Sequence, residues 1–325
     1  HLHRPQIPHR IPLRVALRGV KTRLLKFKHA AMPHTLHLAS VALHVGSADG
    51  RIVFKPFVSQ HFTRPLVAVK HNYQLQFSRL ASLPAAEEFQ LSGETVDENG
   101  PHFKWYLQDK NEDQLNIQLH LSDHPQLQGA VLDLDFKSKV LRVQLVPKEE
   151  QDILSIDPLF HPLSALLLVH LARKNKAFLI HASGVFKNEK GALFTAVSGT
   201  GKSTMAQLWQ KNGATVINDD RLWIEQVEGR WQMFSTPMVW YAQPALNAPV
   251  HQVFLISQAA QNQISPLKGL AASMRVMSNC IQHLYNSKVT DQHLDTVLRF
   301  TKEVQLYDCG FKPDQDIVGL IEALP

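Results

Sequence analysis

The chain has 325 residues, 44% of them hydrophobic and 19% charged, which is enough to bury a core and excludes a disordered protein. The formal charge of +6 is local: residues 1–31 hold Arg4, Arg10, Arg14, Arg18, Lys21, Arg23, Lys26 and Lys28 and no acid, which leaves −2 for the rest. The basic balance is therefore no argument for nucleic-acid binding, and two cysteines, Cys280 and Cys309, exclude a disulfide scaffold or a cysteine zinc site.

Residues 1–31 are basic, broken by Pro5, Pro8 and Pro12, then partly amphipathic from Leu13 to Phe27. They read as an N-terminal extension ahead of Met32, with a transit peptide, a membrane-surface helix and a nucleic-acid arm as the alternatives. Residues 32–150 alternate apolar and polar. Strands are expected over Leu36–Val45, Phe103–Leu107, Leu115–Leu121, Ala130–Phe136 and Val140–Val146. Asp49-Gly, Asn99-Gly and Ser138-Lys mark turns between them. This is a mainly antiparallel β domain, in which Phe103, Trp105 and Tyr106 read as packing residues rather than a ligand cage.

The charged stretch Pro147–Asp152 marks the boundary to a second domain, 151–325. A helix is expected over Asp157–Lys174, with Asp157 as cap and Pro158 near its first position. Phe178-Leu-Ile-His181 is an apolar run read as a strand that His181 closes. Ala192–Val197 is the next strand, Ser198-Gly-Thr-Gly-Lys-Ser203 a glycine loop, and the segment from Lys202 to Lys211 a helix with Gly213 past its end. Strand, glycine loop and helix in that order are the setting of a P-loop. Gly199 and Gly201 let backbone N–H groups close on phosphate oxygens, the helix N-terminus adds positive potential, Lys202 adds a full charge, and Ser203 is placed for Mg²⁺. The usual first glycine is Ala196 here.

Val216-Ile-Asn-Asp-Asp220 then reads as a strand ending in paired carboxylates, able to hold Mg²⁺ and to take a proton from a hydroxyl. Arg221 can touch phosphate or pair with Asp219. A hairpin follows over Leu222–Val227 and Arg230–Phe234, then a loop from Ser235 to Trp240 and a strand over Val250–Ser257. Helices are expected over Leu267–Tyr285 and Thr290–Val304, a strand over Val304–Asp308, and a helix over Asp314–Leu324. Arg275 and Arg299 read as surface arginines, with an arginine-finger role as the alternative. The eighteen histidines are scattered with no metal-binding spacing, and the longest largely apolar run, Ala165–Leu171, falls well short of the about 18 residues of a membrane span. Two cysteines and no span set a cytoplasmic expectation.

The segment from about Leu179 to Glu225 resembles the catalytic domain of HPr kinase/phosphorylase, and more distantly the ATP-dependent phosphoenolpyruvate carboxykinases. The loop Ser198–Ser203, the pair Asp219-Asp220 and the upstream His181 carry the likeness. It implies an α/β P-loop catalytic domain with a mixed sheet, using ATP and Mg²⁺. It also implies a histidine near the transferred phosphate and an aspartate as base toward a serine hydroxyl. Carried over, Asp220 is the base and Asp219 serves metal or orientation, or the two are exchanged. Ser198, Gly199, Thr200, Gly201, Lys202, Ser203 and Thr204 bind the nucleotide, Lys202 and His181 act at the phosphate, and Ser203, Asp219 and Asp220 hold the metal.

Two family features are missing. The glycine-rich signature after the Asp-Asp strand is not found, and Ala245 stands near the position of a later metal-binding glutamate. The chain thus looks more like divergent bacterial HPr-kinase-like proteins, including lasso-peptide kinases, than an enzyme acting on HPr. The expected acceptor is the serine of a small protein or peptide, and a homo-oligomer is an open alternative. A nucleotide-binding regulatory module without transfer and a small-molecule kinase are the rival readings. Carboxykinase chemistry is disfavoured, because the Lys and His set for Mn²⁺ and the oxaloacetate-binding arginine are not found.

Overall fold

Period-two alternation builds the first sheet. The computed structural model describes residues 35–85, 89–95, 102–149, 151–238 and 243–325. The arm at 1–31 and the Asn99-Gly turn lie outside them, as do Val239 and Trp240. The first strands are β1 (Thr35–Leu38), β2 (Val41–Ser47), β3 (Ile52–Phe54), β4 (His71–Arg79), β5 (Gln90–Thr95), β6 (Phe103–Asn111), β7 (Gln114–Leu121), β8 (Leu127–Asp135), β9 (Val140–Pro147) and β10 (Leu154–Ile156). Eight of them form one sheet in the order β1-β2-β4-β9-β8-β7-β6-β5. β2, β4 and β9 run parallel, and the other neighbours are antiparallel. On β4, Tyr73, Leu75 and Phe77 are buried and the residues between them are not, the mark of a sheet with one covered face.

The run Leu36–Val45, expected as one strand, is a hairpin. Leu38 pairs with Val41 across a two-residue turn, with Ala39 at φ 51°. The sequence carries a trace of this: buried apolar residues shift from even positions (Leu36, Leu38) to odd ones (Val41, Leu43, Val45) across the turn. β3 and β10 pair in parallel as a separate small sheet.

The helix α1 (Leu163–Lys174) is buried on nearly every side. Its leucines share one core with the first sheet and with Leu179, Trp223 and Phe234, so it is covered on both faces. It begins at Leu163 and not at Asp157. The Asp157 carboxylate is taken by other donors: the amides of Phe57, Val58 and Ser59 at 2.6, 2.8 and 3.0 Å and that of Leu159 at 2.7 Å. Pro162, not Asp157, stands at the cap position, and Pro158 lies before the helix.

The remaining elements are β11 (Phe178–Lys187), β12 (Lys190–Thr195), α2 (Lys202–Lys211), β13 (Thr215–Asn218), β14 (Arg221–Val227), β15 (Arg230–Ser235), β16 (Asn247–Pro249), β17 (Gln252–Gln258), β18 (Gln263–Leu267), α3 (Gly269–Met277), β19 (Cys280–Ile281), α4 (Ser287–Glu303), β20 (Gln305–Phe311) and α5 (Asp316–Glu322). The strands make a mixed sheet in the order β16-β15-β14-β11-β12-β17-β20-β18, with β13 and β19 also paired to β11. β12, β17 and β20 are parallel. One core joins α2 and α5 to Phe194, Phe254, Tyr307 and Phe311; another joins α3 and α4 to Ile180, Leu193 and Leu255.

The β14–β15 hairpin turns at Glu228 and Gly229, both at positive φ, as a two-residue type I′ turn requires. The helix expected over Leu267–Tyr285 is broken. Gln263–Leu267 is strand, α3 stops at Met277, and Cys280–Ile281 pairs with Leu179–Ile180, because backbone pairing with β11 outweighs continuing the helix. Among the described residues no helix is long and apolar enough to cross a membrane.

Candidate active site

β11 is ten residues long and changes partners midway. Phe178–His181 pairs with β14 and Leu179–Ile180 with β19; the stretch Ala182–Lys187 pairs with β12, and Gly184–Phe186 with β13. The change falls at His181–Ala182. Three strand ends arrive there: Thr195 opposite Ala182, Asn218 opposite Gly184, and Arg221 opposite His181. The glycine loop leaves from the first of these ends, and Asp219-Asp220 connect the other two. Ligands gather where a sheet changes its order, because loops diverge and leave a crevice. The acids do not end a parallel strand, as an open doubly wound sheet would have them. β13 is antiparallel to β11, and the pair sits in the short link from β13 to β14.

Hydrogen bonds fix this junction. The His181 amide donates to Asn279 O at 2.9 Å, and the Thr195 hydroxyl to His181 O at 2.7 Å. The Ala182 amide donates to Asp220 O at 3.1 Å, and the Ser183 hydroxyl to Asp219 O at 3.1 Å. Asn218, fully buried, shapes the link itself: its Oδ1 takes the Asp220 amide at 3.0 Å and the Arg221 amide at 3.4 Å. Asn218 lies outside the site residues expected from the sequence. Its signal was an Asn two residues before a turn amide, the Asx pattern.

The loop itself needs glycine at one position twice over. Gly201 has φ 118°, and a Cβ there would lie 2.7 Å from the Phe311 ring. Gly199 has φ 82° and open space around it. Ala196 is buried in the core that also holds Phe194 and Met205, so the methyl is absorbed there where the motif has glycine. Ser198 and Gly199 on the loop, and Ser203 and Thr204 on the first turn of α2, are exposed. Lys202 Nζ donates to the carbonyls of Ala196 and Val197 at 2.9 and 3.2 Å, so the amine lies across its own loop. A recess of about 450 Å³ opens beside it, lined by Gly201, Thr204, Gln258, Phe311 and Pro313.

The charged groups act on one another. Burial lowers the Lys202 pKa, and the Asp220 charge opposes the shift. Burial also lowers the His181 pKa; Asp220 pulls it up, while Arg221 and Lys202 push it down. His181 is nonetheless exposed, at the end of the β11–β14 pairing. Arg221 is lowered by burial, again opposed by Asp220. Asp220 is thus the common neighbour of Lys202, His181 and Arg221. The same charges also reach His161, outside the residues expected from the sequence. Burial pushes it down to about 4, with Arg221 adding to the shift and Asp220 opposing it. Nothing in the sequence separates it from the other histidines; only the fold brings it here.

The expected Mg²⁺ set is Ser203, Asp219 and Asp220. Among the described residues no group of three or more His, Cys, Asp or Glu side chains stands close enough to hold a metal. Two carboxylates and a hydroxyl suit an ion that completes its shell with phosphate oxygens and water, and not a resident ion held by protein alone. Arg275 and Arg299 are engaged elsewhere: Arg275 donates to Asp308 at 2.8 Å, and Arg299 lies 5.4 Å from the centre of the Trp231 ring. Trp105 and Phe103 are buried, as packing residues should be.

No protein-family model matches the chain, and no curated protein matches it. Among solved structures the chain is similar to the Hpr(Ser) kinase/phosphatase from Coxiella burnetii. The identity is 12%, over 45% of this chain and 87% of that one, with a TM-score of 0.26, a distant relationship.

Proposed function

We propose that this chain is an ATP- and Mg²⁺-dependent phosphotransferase that moves the γ-phosphoryl group to a hydroxyl, that of a serine on a small protein or peptide. The supporting observation is convergence: the glycine loop, His181 and Asp219-Asp220, separate in sequence, meet where β11 changes partners. In this reading the loop amides and Lys202 hold the β- and γ-phosphates, Lys202 exchanging its loop carbonyls for phosphate oxygens. Ser203, Asp219 and Asp220 would hold Mg²⁺, which supplies charge neutralisation at the phosphates. Asp220 takes the proton as the acceptor oxygen bonds to the γ-phosphorus and the bond to the ADP oxygen breaks. His181 stands near the γ-phosphate as a neutral imidazole. Such catalysis is positioning and electrostatics.

The test follows labelled γ-phosphate from Mg-ATP into a cell extract, using wild type, Lys202→Ala and Asp220→Asn. Transfer to a defined acceptor that disappears in both variants is the expected result. Tight ATP binding without transfer or hydrolysis would favour the second reading, a regulatory nucleotide-binding module. One observation favours that reading: Ala245, near the position where the family resemblance calls for a metal-binding glutamate, packs against the apolar core and offers no ligand.

A further inference from the structure

A cavity of about 690 Å³ opens where the end of α1, the β6–β7 turn and α4 meet. Five cationic side chains line it: Arg173, Lys174 and Lys176 from the α1 side, Arg299 and Lys302 from α4. The acids on its wall are Asp113, Asp295 and Glu303. Asp113 pairs with Lys174 at 3.1 Å, and Glu303 takes the Trp231 indole N–H at 2.7 Å and the Gln226 side-chain amide at 2.9 Å. Arg173 is 8% exposed, and no carboxylate pairs with it among the described residues. Its partners are neutral: the carbonyls of Gln282 and His283, Nδ1 of His170, and the Tyr285 ring 6.0 Å away. A buried charge without a counter-charge is costly. Lys176, Arg299 and Lys302 are exposed and form no ion pair among the described residues. Helix ends attract cations through their free carbonyls, but Lys176 lies past α1 and Arg299 before the last turn of α4. Lys176 also sits at φ 57°, a setting that helix ends ordinarily give to glycine.

We propose that this cavity is a binding site for a small, multiply charged oxyanion, a phosphate compound or a polycarboxylate. The inference is independent of the phosphotransfer reading. Charge selects the sign of the ligand. Cations outnumber acids on the wall, so a metal ion is repelled, and an apolar ligand would leave Arg173 as it is. Geometry selects more than one anionic group, because the cations stand on two walls, the end of α1 and α4. The volume is that of an ordinary small-molecule site, about 300–1,000 Å³. The exposed cations draw the anion in, and Arg173 supplies fixed charge in the wall. Two of the five are held before the ligand arrives: Arg299 lies over the Trp231 ring, 5.4 Å from its centre, and Lys174 is tied to Asp113 and the Glu112 carbonyl. Once bound, the anion offsets the Arg173 charge and joins α1 to α4.

The test is calorimetric titration of the full-length protein with pyrophosphate and, separately, with citrate. Mg²⁺ is left out, and about 0.15 M NaCl screens loose surface attraction. Lys202→Ala is the background throughout, because the glycine loop is itself a candidate for phosphate. The expected result is saturable binding of at least one probe with a Kd below about 1 mM, weakened at least about tenfold when Lys176→Ala and Arg299→Ala are added. Both residues are exposed, and an unchanged urea midpoint shows that the fold is kept. Tighter binding of pyrophosphate assigns a phosphate compound; equal or tighter binding of citrate assigns a polycarboxylate. No saturable binding of either probe, or binding that the added substitutions leave unchanged, would overturn the site.

Discussion

Asp220 is the residue on which the site turns, because Lys202, His181, Arg221 and His161 all feel its charge. Removing that charge while keeping the shape separates chemistry from binding. Asp220→Asn is expected to lower phosphoryl transfer by about 10²–10⁴-fold, the usual weight of a general base, with ATP affinity in the absence of Mg²⁺ within a few-fold of wild type. Single-turnover transfer and equilibrium binding, measured side by side, check it; parallel losses in both would mean that Asp220 serves binding only. Asn218→Ala tests the support beneath. It leaves the Asp220 and Arg221 amides without their acceptor and should cost about 1–3 kcal/mol in urea unfolding. Gly201→Ala adds a Cβ against Phe311 at a φ of 118°, so it should weaken ATP binding, whereas Gly199→Ala meets no atom and strains only the backbone. At this scale the loop, His181 and the acids could be read from residue types and order. His161 and Asn218 could not, since their roles come from which strand end lies beside them.

Among the elements, β11 and the loop 157–162 decide the arrangement. In the sequence β11 reads as a short apolar run ending at His181, but the strand continues to Lys187 and His181 is its fourth residue of ten. Its length is what lets four strands share it. The α2 segment and its stop at Gly213, φ 82°, followed from local chemistry. α3 did not: the helix-like pattern over Leu267–Tyr285 says nothing of the open edge of β11 that draws Cys280–Ile281 into pairing. Asp157 likewise reads as a helix cap in isolation, and only the distant amides at 57–59 show where it goes. Asp157→Ala should therefore loosen two segments together. About 2–3 kcal/mol of stability is expected to go, with faster hydrogen exchange at residues 57–59 and 159–161. Exchange confined to the first turn of α1 would restore the capping role.

Across the described molecule, α1 and a few polar contacts tie the first sheet to the second. Buried Glu225 on β14 takes the Ser40 hydroxyl, the Ser40 amide at 3.4 Å and the Trp223 indole N–H at 3.1 Å, and Tyr73 donates to Asn175 at 3.2 Å. Several histidines lie in or beside this interior: burial holds His283, His293 and His124 at about 4, with neighbouring Arg173 or Lys148 adding to the shifts, and His170 well below its usual value. These groups are neutral when folded, whereas the unfolded chain takes up protons near pH 6.5. Stability is thus complete above that value and lost as pH falls from about 6.5 toward 4. The urea midpoint should drop steeply over that window with uptake of more than one proton; a flat profile would contradict the burial. If the junction on β11 is a nucleotide site, as proposed, titration of ATP with and without Mg²⁺ will show it. Wild type should bind ATP, more tightly with Mg²⁺, and Lys202→Ala should bind at least about tenfold more weakly, the equivalent of ~1.4 kcal/mol. No binding by wild type, or equal binding by the variant, would contradict it.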